Sequence, residues 1–225
     1  MTARKETWLL LVILAIAAAI RLWGIGWGLP HTYHPDEGTI LFHAMGFGTG
    51  DLNPHWFRWP SLLMYVMFGV YGVYYAVGRI AGEFGAPVDL LRRYLSDPTP
   101  FWLMGRMLSV IAGTATVWVT HRIGRKTLGP AAGLTAAALL AVMFLHVRDS
   151  HYATPDVATA FLAACSLLFA VRAYRNAAAR DVLVSGLLAG LAASAKYPGG
   201  LAGVAILAAL ALLVRERRIG WAAFV

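Results

Sequence analysis

The stretch that organises this chain reads His31-Thr32-Tyr33-His34-Pro35-Asp36-Glu37-Gly38-Thr39. It is the first polar segment after a long apolar run, and it places two adjacent carboxylates beside two histidines. Two interpretations are open for the stretch alone. Asp36 could cap a following helix with Pro35 in the turn, or the acids could carry chemistry, and the rest of the chain has to decide between these.

The composition indicates a polytopic membrane protein. Of 225 residues, 59% are hydrophobic and 13% are charged, whereas about 25% of an average soluble domain is charged. The mean hydropathy is +0.64, and the apolar residues fall in long runs typical of membrane spans. The net charge of +8 does not indicate nucleic-acid binding, because the bases flank the apolar runs as they do on the cytoplasmic side of membrane proteins.

The basic residues predict an orientation. Arg4 and Lys5 precede the first apolar run, and no small-residue cleavage pattern follows it, so residues 1–28 are expected to form a retained first span with a cytoplasmic N-terminus. Further apolar segments lie at about 101–120, 130–147, 156–171, 182–195 and 200–214. Alternate loops after 120, 171 and 214 are rich in arginine, so the span at 101–120 should run from outside to inside.

This parity leaves residues 29–100 outside the membrane as one long extracytoplasmic loop, with six acids and four bases. The apolar run at 60–80 is long enough to span. If this run crossed the membrane once, every later basic loop would lie outside, against the positive-inside rule. We therefore expect the run to lie in the outer interface, where its aromatic residues suit the depth. A short amphipathic helix is expected over Glu37–Phe47.

The expected fold class is therefore an all-α polytopic helix bundle with juxtamembrane helices in its first outer loop. Residues 101–225 supply the further spans, and the apolar segment starting at the end of the chain suggests a truncated protein. Gly186 and Gly190 are expected to allow close helix packing within the bundle.

Several ionisable residues gather at the predicted outer ends of the spans, where an unpaired charge is costly and is usually paired or functional. They are Arg58, Arg106, His151, Asp156 and Lys196, with Tyr197 beside the last. Structural roles remain open for them: Asp156 could complement a helix N-terminus, and Arg106 and Lys196 could extend towards lipid phosphates. A metal site made by His31, His34 and Asp36 is a further alternative, since mixed nitrogen and oxygen ligands suit zinc or manganese.

The order of these features resembles the GT-C class of membrane glycosyltransferases, in the branch of the protein O-mannosyltransferases and the lipid A aminoarabinose transferases (glycosyltransferase family 39-like). The matching pieces, in order after the first helix, are His34-Pro35-Asp36-Glu37, Arg58-Trp59-Pro60-Ser61-Leu62, Gly105-Arg106-Met107, Thr154-Pro155-Asp156 and Ala195-Lys196-Tyr197. Ser61 stands where many members have a second proline.

The resemblance implies sugar transfer from a polyprenyl-phosphate donor at the outer membrane face. Asp36 takes the position of the general base and Glu37 shapes the acceptor site. The cations Arg58, Arg106 and Lys196 are expected to hold the donor phosphate, and His34, His151, Asp156 and Tyr197 are further candidates for the site. No cofactor is firmly implied, although a divalent metal is compatible.

Two other functions remain open, a flippase of lipid-linked saccharide and a non-catalytic membrane scaffold. Transporters usually place polar groups near the membrane midplane on broken helices, whereas the charges in this chain gather at outer ends. The identity of the sugar and the acceptor, whether protein, lipid or glycan, is not encoded in any of these patterns.

Overall fold

The computed structural model describes residues 2–31 and 33–219, which form helices, turns and loops without strands. Within these residues the helices are α1 (Ala3–Leu22), α2 (Glu37–Gly46), α3 (Leu62–Ile80), α4 (Pro87–Ser96), α5 (Thr99–Leu128), α6 (Pro130–Val142), α7 (Phe144–Asp149), α8 (Pro155–Asn176), α9 (Ala179–Ala195) and α10 (Gly203–Arg215). Short 3-10 turns lie at Phe47–Thr49 and Tyr197–Ala202. The predicted all-α class is confirmed.

Four helical segments of the described chain are long and apolar enough to cross a membrane: Leu62–Ile80, Thr99–Leu128, Pro155–Asn176 and Tyr197–Arg215. The expectation of an integral, multi-pass membrane protein is therefore confirmed. The orientation stays a prediction, and so does the interfacial placement of α3. The first helix ends at Leu22, earlier than the predicted boundary at residue 28, and residues 23–30 form turns.

The long helix α5 is the centre of the bundle, with α1, α6 and α8 packed against it. Pro100 lies in its first turn, where a missing N–H is harmless. Gly129 ends it with φ of +100°, a conformation that residues with a Cβ rarely adopt. At 1.5 Å per residue the helix is about 45 Å long, so it reaches beyond the hydrocarbon layer.

Arg21, in the last turn of α1, is fully buried in this bundle. Its Nη1 donates to the carbonyls of Ala17 and Ala141 at 2.9 Å, and its Nη2 lies 3.4 Å from the carbonyl of Leu140. Leu140 and Ala141 lie in the last turn of α6, where carbonyl groups lack i+4 helical donors and the helix dipole is negative. No carboxylate pairs with Arg21 in the described residues, and the end of α6 serves as its electrostatic partner.

The helical backbone is interrupted between α6 and α7, so the predicted apolar segment 130–147 forms two helices rather than one. Met143 interrupts the helix with extended backbone. Nη2 of Arg21 also lies 2.9 Å from Nδ1 of His146 in α7. The guanidinium therefore contacts both sides of the break and fixes the direction in which the chain continues towards residues 148–156.

The expectation that Gly186 and Gly190 mediate packing is wrong for the described chain. Both glycines are exposed, and an added Cβ at either would meet nothing within 4 Å. Helix α9 packs on α8 through a different face, where Ser185 is buried and exchanges hydrogen bonds with Ser166 at 2.9 Å. Small residues alone did not identify which face of the helix is covered.

An aromatic-rich core joins α2 and α3 to the beginning of α5. Its buried members are Ile40, Leu41, Ala44, Phe47, Met64, Met67, Tyr71, Phe101, Trp102 and Ala153. The helix predicted over Glu37–Phe47 is confirmed as α2, which lies on α3 through this core. The N-terminus of α2, with its two acids, is thereby held against α5.

Candidate functional site

The two adjacent acids of the opening stretch have different environments. Glu37 is fully buried, and its Oε1 and Oε2 accept hydrogen bonds from Nε and Nη2 of Arg106 at 2.6 and 2.9 Å. The backbone N–H of Ala153 donates to the same Oε1 at 3.0 Å. This is a two-pronged, charge-assisted pair, the strongest type of side-chain hydrogen bonding.

The close approach that permits this pairing depends on Gly105. A Cβ at that position would lie 2.7 Å from the Cβ of Ala153 and 3.0 Å from Cδ2 of Leu41, so any larger residue would push α5 away from its neighbours. Gly105 therefore brings the segment before α8 and the N-terminus of α2 to the same side of Arg106.

Arg106 also fixes the turns that follow α1. Its Nη1 donates to the carbonyls of Ile25 and Trp27 at 2.7 and 2.9 Å. Together with the two bonds to Glu37, four of the five N–H groups of the guanidinium have protein partners. Arg106 thus ties three segments together: residues 23–30, the start of α2 and the loop before α8.

Asp36 occupies the N-cap position of α2, but its side chain makes no capping hydrogen bond. The residue is partly exposed, and no ion pair or hydrogen bond engages its carboxylate in the described part of the chain. Its backbone N–H donates to Nδ1 of His34 at 3.3 Å. The capping interpretation of Asp36 therefore lacks its hydrogen bond, and the carboxylate is available to a ligand.

An open cavity of about 330 Å³ lies against Arg106, the partner of Glu37. It is lined by Trp23, Gly24, Trp27, Arg106, Arg148, His151 and Tyr152. The ring of Tyr152 packs on that of His34, with centroids 4.7 Å apart, which links the cavity to the segment carrying Asp36. We call this cavity the tryptophan–arginine pocket.

The tryptophan–arginine pocket presents two guanidinium groups and an imidazole. His151 places Nδ1 2.8 Å from the carbonyl of Val147 and Nε2 2.9 Å from that of Trp23. Arg148 pairs with Asp149 at 2.7 Å, but its side chain stays half exposed. Aromatic walls with cations suit a ligand that combines a sugar with a phosphate.

A second group of predicted site residues lies where α8 begins and α9 ends. Nζ of Lys196 pairs with Oδ1 of Asp156 at 2.5 Å. The hydroxyl of Tyr197 donates to the carbonyl of Phe57 at 2.9 Å, which brings the exposed Arg58 to the same group. No side-chain contact joins this group to Asp36 among residues 2–31 and 33–219.

The metal alternative gains no support. The described residues contain no group of three or more His, Cys, Asp and Glu side chains placed to hold an ion. His31 is exposed at the end of the turns after α1, and the Nδ1 of His34 accepts from the chain itself.

Sequence reasoning missed the contribution of Trp23, Trp27 and Arg148 to a pocket. The tryptophans fit the pattern of an interfacial aromatic belt, and Arg148 was one charge of a polar loop. The sequence feature that could have identified them is the end of the first helix. A predicted end at Leu22 would have placed both tryptophans in the turns that follow it.

The fold and the site define a multi-pass helical membrane protein with an ionisable site at one end of its bundle. Residues 102–223 match the model of the dolichyl-phosphate-mannose-protein mannosyltransferase family. The match covers more than half of the chain, so the protein belongs to this family, and the resemblance found in the sequence is confirmed. The matched residues include Arg106, Asp156 and Lys196, and the match begins after Asp36, Glu37 and Arg58.

No curated protein matches the chain, and no solved structure does. Family membership implies a glycosyltransferase that depends on a polyprenyl-phosphate sugar.

Proposed function

We propose that this protein transfers a sugar from a polyprenyl-phosphate donor to an acceptor hydroxyl at the extracytoplasmic membrane face, with Asp36 as general base. The observation that carries the proposal is the division between the two acids. Glu37 is paired with Arg106, which lines the tryptophan–arginine pocket, whereas the carboxylate of the adjacent Asp36 has no protein partner within the described residues.

The chemistry requires a proton acceptor, a nucleophile and a leaving group. Asp36 takes the proton of the acceptor hydroxyl, and the oxygen attacks the anomeric carbon of the donor sugar. The bond from that carbon to the phosphate oxygen breaks, and polyprenyl phosphate leaves with the electron pair. Fixed cations stabilise the charge that develops on the leaving phosphate.

The three cations predicted to bind the donor phosphate have different surroundings in the structure. Arg58 is exposed and has no ion-pair partner in the described chain, so it is free to meet a phosphate. Lys196 is held by Asp156. Arg106 lines the tryptophan–arginine pocket with one N–H group left over from its four protein contacts. We therefore propose that Arg148 and His151 assist Arg106 there.

The test replaces each acid separately in the complete reading frame, assayed in membranes with labelled polyprenyl-phosphate sugars. Asp36→Asn keeps the shape and removes the base, so turnover should fall about a hundredfold or more while donor binding survives. Asp51→Asn, in the same outer segment, is the matched control and should retain turnover. Undiminished turnover in Asp36→Asn would exclude this residue as the base.

A further inference from the structure

Asp36 lies in a tight turn that His34 closes with two acceptors. The backbone N–H of Glu37 donates to the carbonyl of His34 at 3.2 Å, and the backbone N–H of Asp36 donates to Nδ1 of the His34 ring at 3.3 Å. Pro35 has a fixed φ and no N–H. Asp36 has φ of −89° and ψ of −16°, as the third residue of a type I turn does. The His34 side chain therefore helps to fix the backbone that carries the Asp36 carboxylate.

Both ends of this turn contact the loop before α8, at consecutive residues. At the first end, the ring of His34 packs on that of Tyr152, with centroids 4.7 Å apart and planes inclined by 39°. At the other end, Oε1 of Glu37 accepts from the backbone N–H of Ala153 at 3.0 Å. Asp36 lies between these two attachments, so its backbone is held against the loop from both sides.

Tyr152 is itself held in place by α5. Its carbonyl accepts from the hydroxyl of Ser109 at 2.7 Å, and Ser109 is buried. Its ring centroid lies 6.0 Å from Cζ of Arg106, at the limit of a cation–π contact. Tyr152 also lines the tryptophan–arginine pocket. The ring of His34 therefore packs on a residue that belongs to the pocket and is fixed by the central helix.

We propose that His34 is a positioning residue, which holds the Asp36 carboxylate where it can take the proton of the acceptor hydroxyl. This role rests on the proposed function, in which Asp36 is the general base. A base must lie within hydrogen-bond reach of the proton that it removes, and a misplacement of about 1 Å can cost about a hundredfold in rate. His34 acts through the hydrogen bond that Nδ1 accepts, and the packing on Tyr152 keeps Nδ1 in place.

The test compares two replacements of His34, each of which keeps one of its two contacts. His34→Asn keeps an acceptor, because an asparagine oxygen can bond the backbone N–H two residues further on. His34→Phe keeps an aromatic ring against Tyr152 but has no acceptor. In the complete reading frame, assayed with labelled polyprenyl-phosphate sugars, His34→Phe should lower kcat about tenfold or more while the KM for the donor stays unchanged. His34→Asn should recover most of that loss.

His31→Phe is the matched control, because His31 is an exposed histidine of the same segment, and its kcat should be unchanged. Thermal unfolding in detergent shows whether each variant is folded. A kcat in His34→Phe equal to or above that in His34→Asn would overturn the proposal, since packing alone would then explain the role of His34. A loss of kcat in both His34 variants together with a lowered melting temperature would overturn it too.

Asp36→Asn separates this proposal from the proposed function. If Asp36→Asn loses turnover while His34→Phe retains it, Asp36 remains the base and only the positioning role of His34 is excluded. If Asp36→Asn retains turnover, the base itself is excluded, and the role of His34 with it.

Discussion

Asp36 and Glu37 are neighbours in sequence, yet the structure separates their roles. The sequence predicts that this acidic pair belongs to the site, because two carboxylates follow an apolar span. Which acid is buried depends on how α2 meets α5. Glu37 pairs with Arg106, which is 69 residues away in the sequence. No local sequence pattern predicts that contact.

The buried pair predicts a stability effect that the catalytic role of Asp36 does not share. Glu37→Gln leaves Arg106 without its counter-charge in a buried position, where both side chains are at most 3% exposed. Breaking a buried pair in this way should destabilise the protein by about 3–5 kcal/mol. Thermal unfolding in detergent, followed by tryptophan fluorescence, measures the change.

The matched control for Glu37→Gln is Asp97→Asn, which breaks the pair between Arg93 and Asp97. Both of these side chains are well exposed, so its melting temperature should change far less. Equal melting temperatures for Glu37→Gln and the unaltered protein would contradict the proposed ion pair. Asp36→Asn should unfold like the unaltered protein while it loses turnover.

At the scale of the helices, the apolar segments could be predicted well and their interruptions poorly. Length and hydropathy predicted α5, α8, α9 and α10 near their observed positions, since burial in a membrane demands long apolar runs. The break at Met143 was not predictable in this way, because the sequence around it remains apolar. It is stabilised by Arg21, which is contributed by a different helix.

Arg21 should therefore be necessary for the break. Arg21→Met removes the donor from the carbonyl of Ala141, and an unsatisfied buried carbonyl should cost about 1–3 kcal/mol of stability. Arg21→Lys should restore part of this, since an ammonium donates but lacks the planar fork. Thermal unfolding of both variants measures the effect.

Arg4→Gln, a change of an exposed arginine on the same helix, is the control for the Arg21 variants and should leave the melting temperature unchanged. If Arg21→Met and Arg4→Gln had the same melting temperature, the carbonyls at the end of α6 would have another donor. The account of the helix break would then be incorrect.

For the whole molecule, the sequence predicts class and family, and the family match confirms both. The candidate site is predicted only in part: its acids and Arg106 follow from motifs, whereas the tryptophan–arginine pocket depends on turns between helices. The orientation rests on counting basic loops, and α3 is the element on which the count depends. This helix satisfies the length and composition of a span, although parity predicts that it does not cross.

Cysteine labelling at Asn53 and Ala86 tests the orientation, because these exposed positions flank α3 on either side. In a Cys165→Ala background, an impermeant thiol reagent added outside intact cells should label both positions if α3 lies in the outer interface. It should not label a cysteine at Thr127 or Ala179, which are exposed at the predicted cytoplasmic ends of α5 and α9. Permeabilised cells, in which all four positions should react, are the control for reagent access. Labelling of only one of the two flanking positions would mean that α3 crosses the membrane. The predicted placement of residues 29–100 on one side would then be wrong.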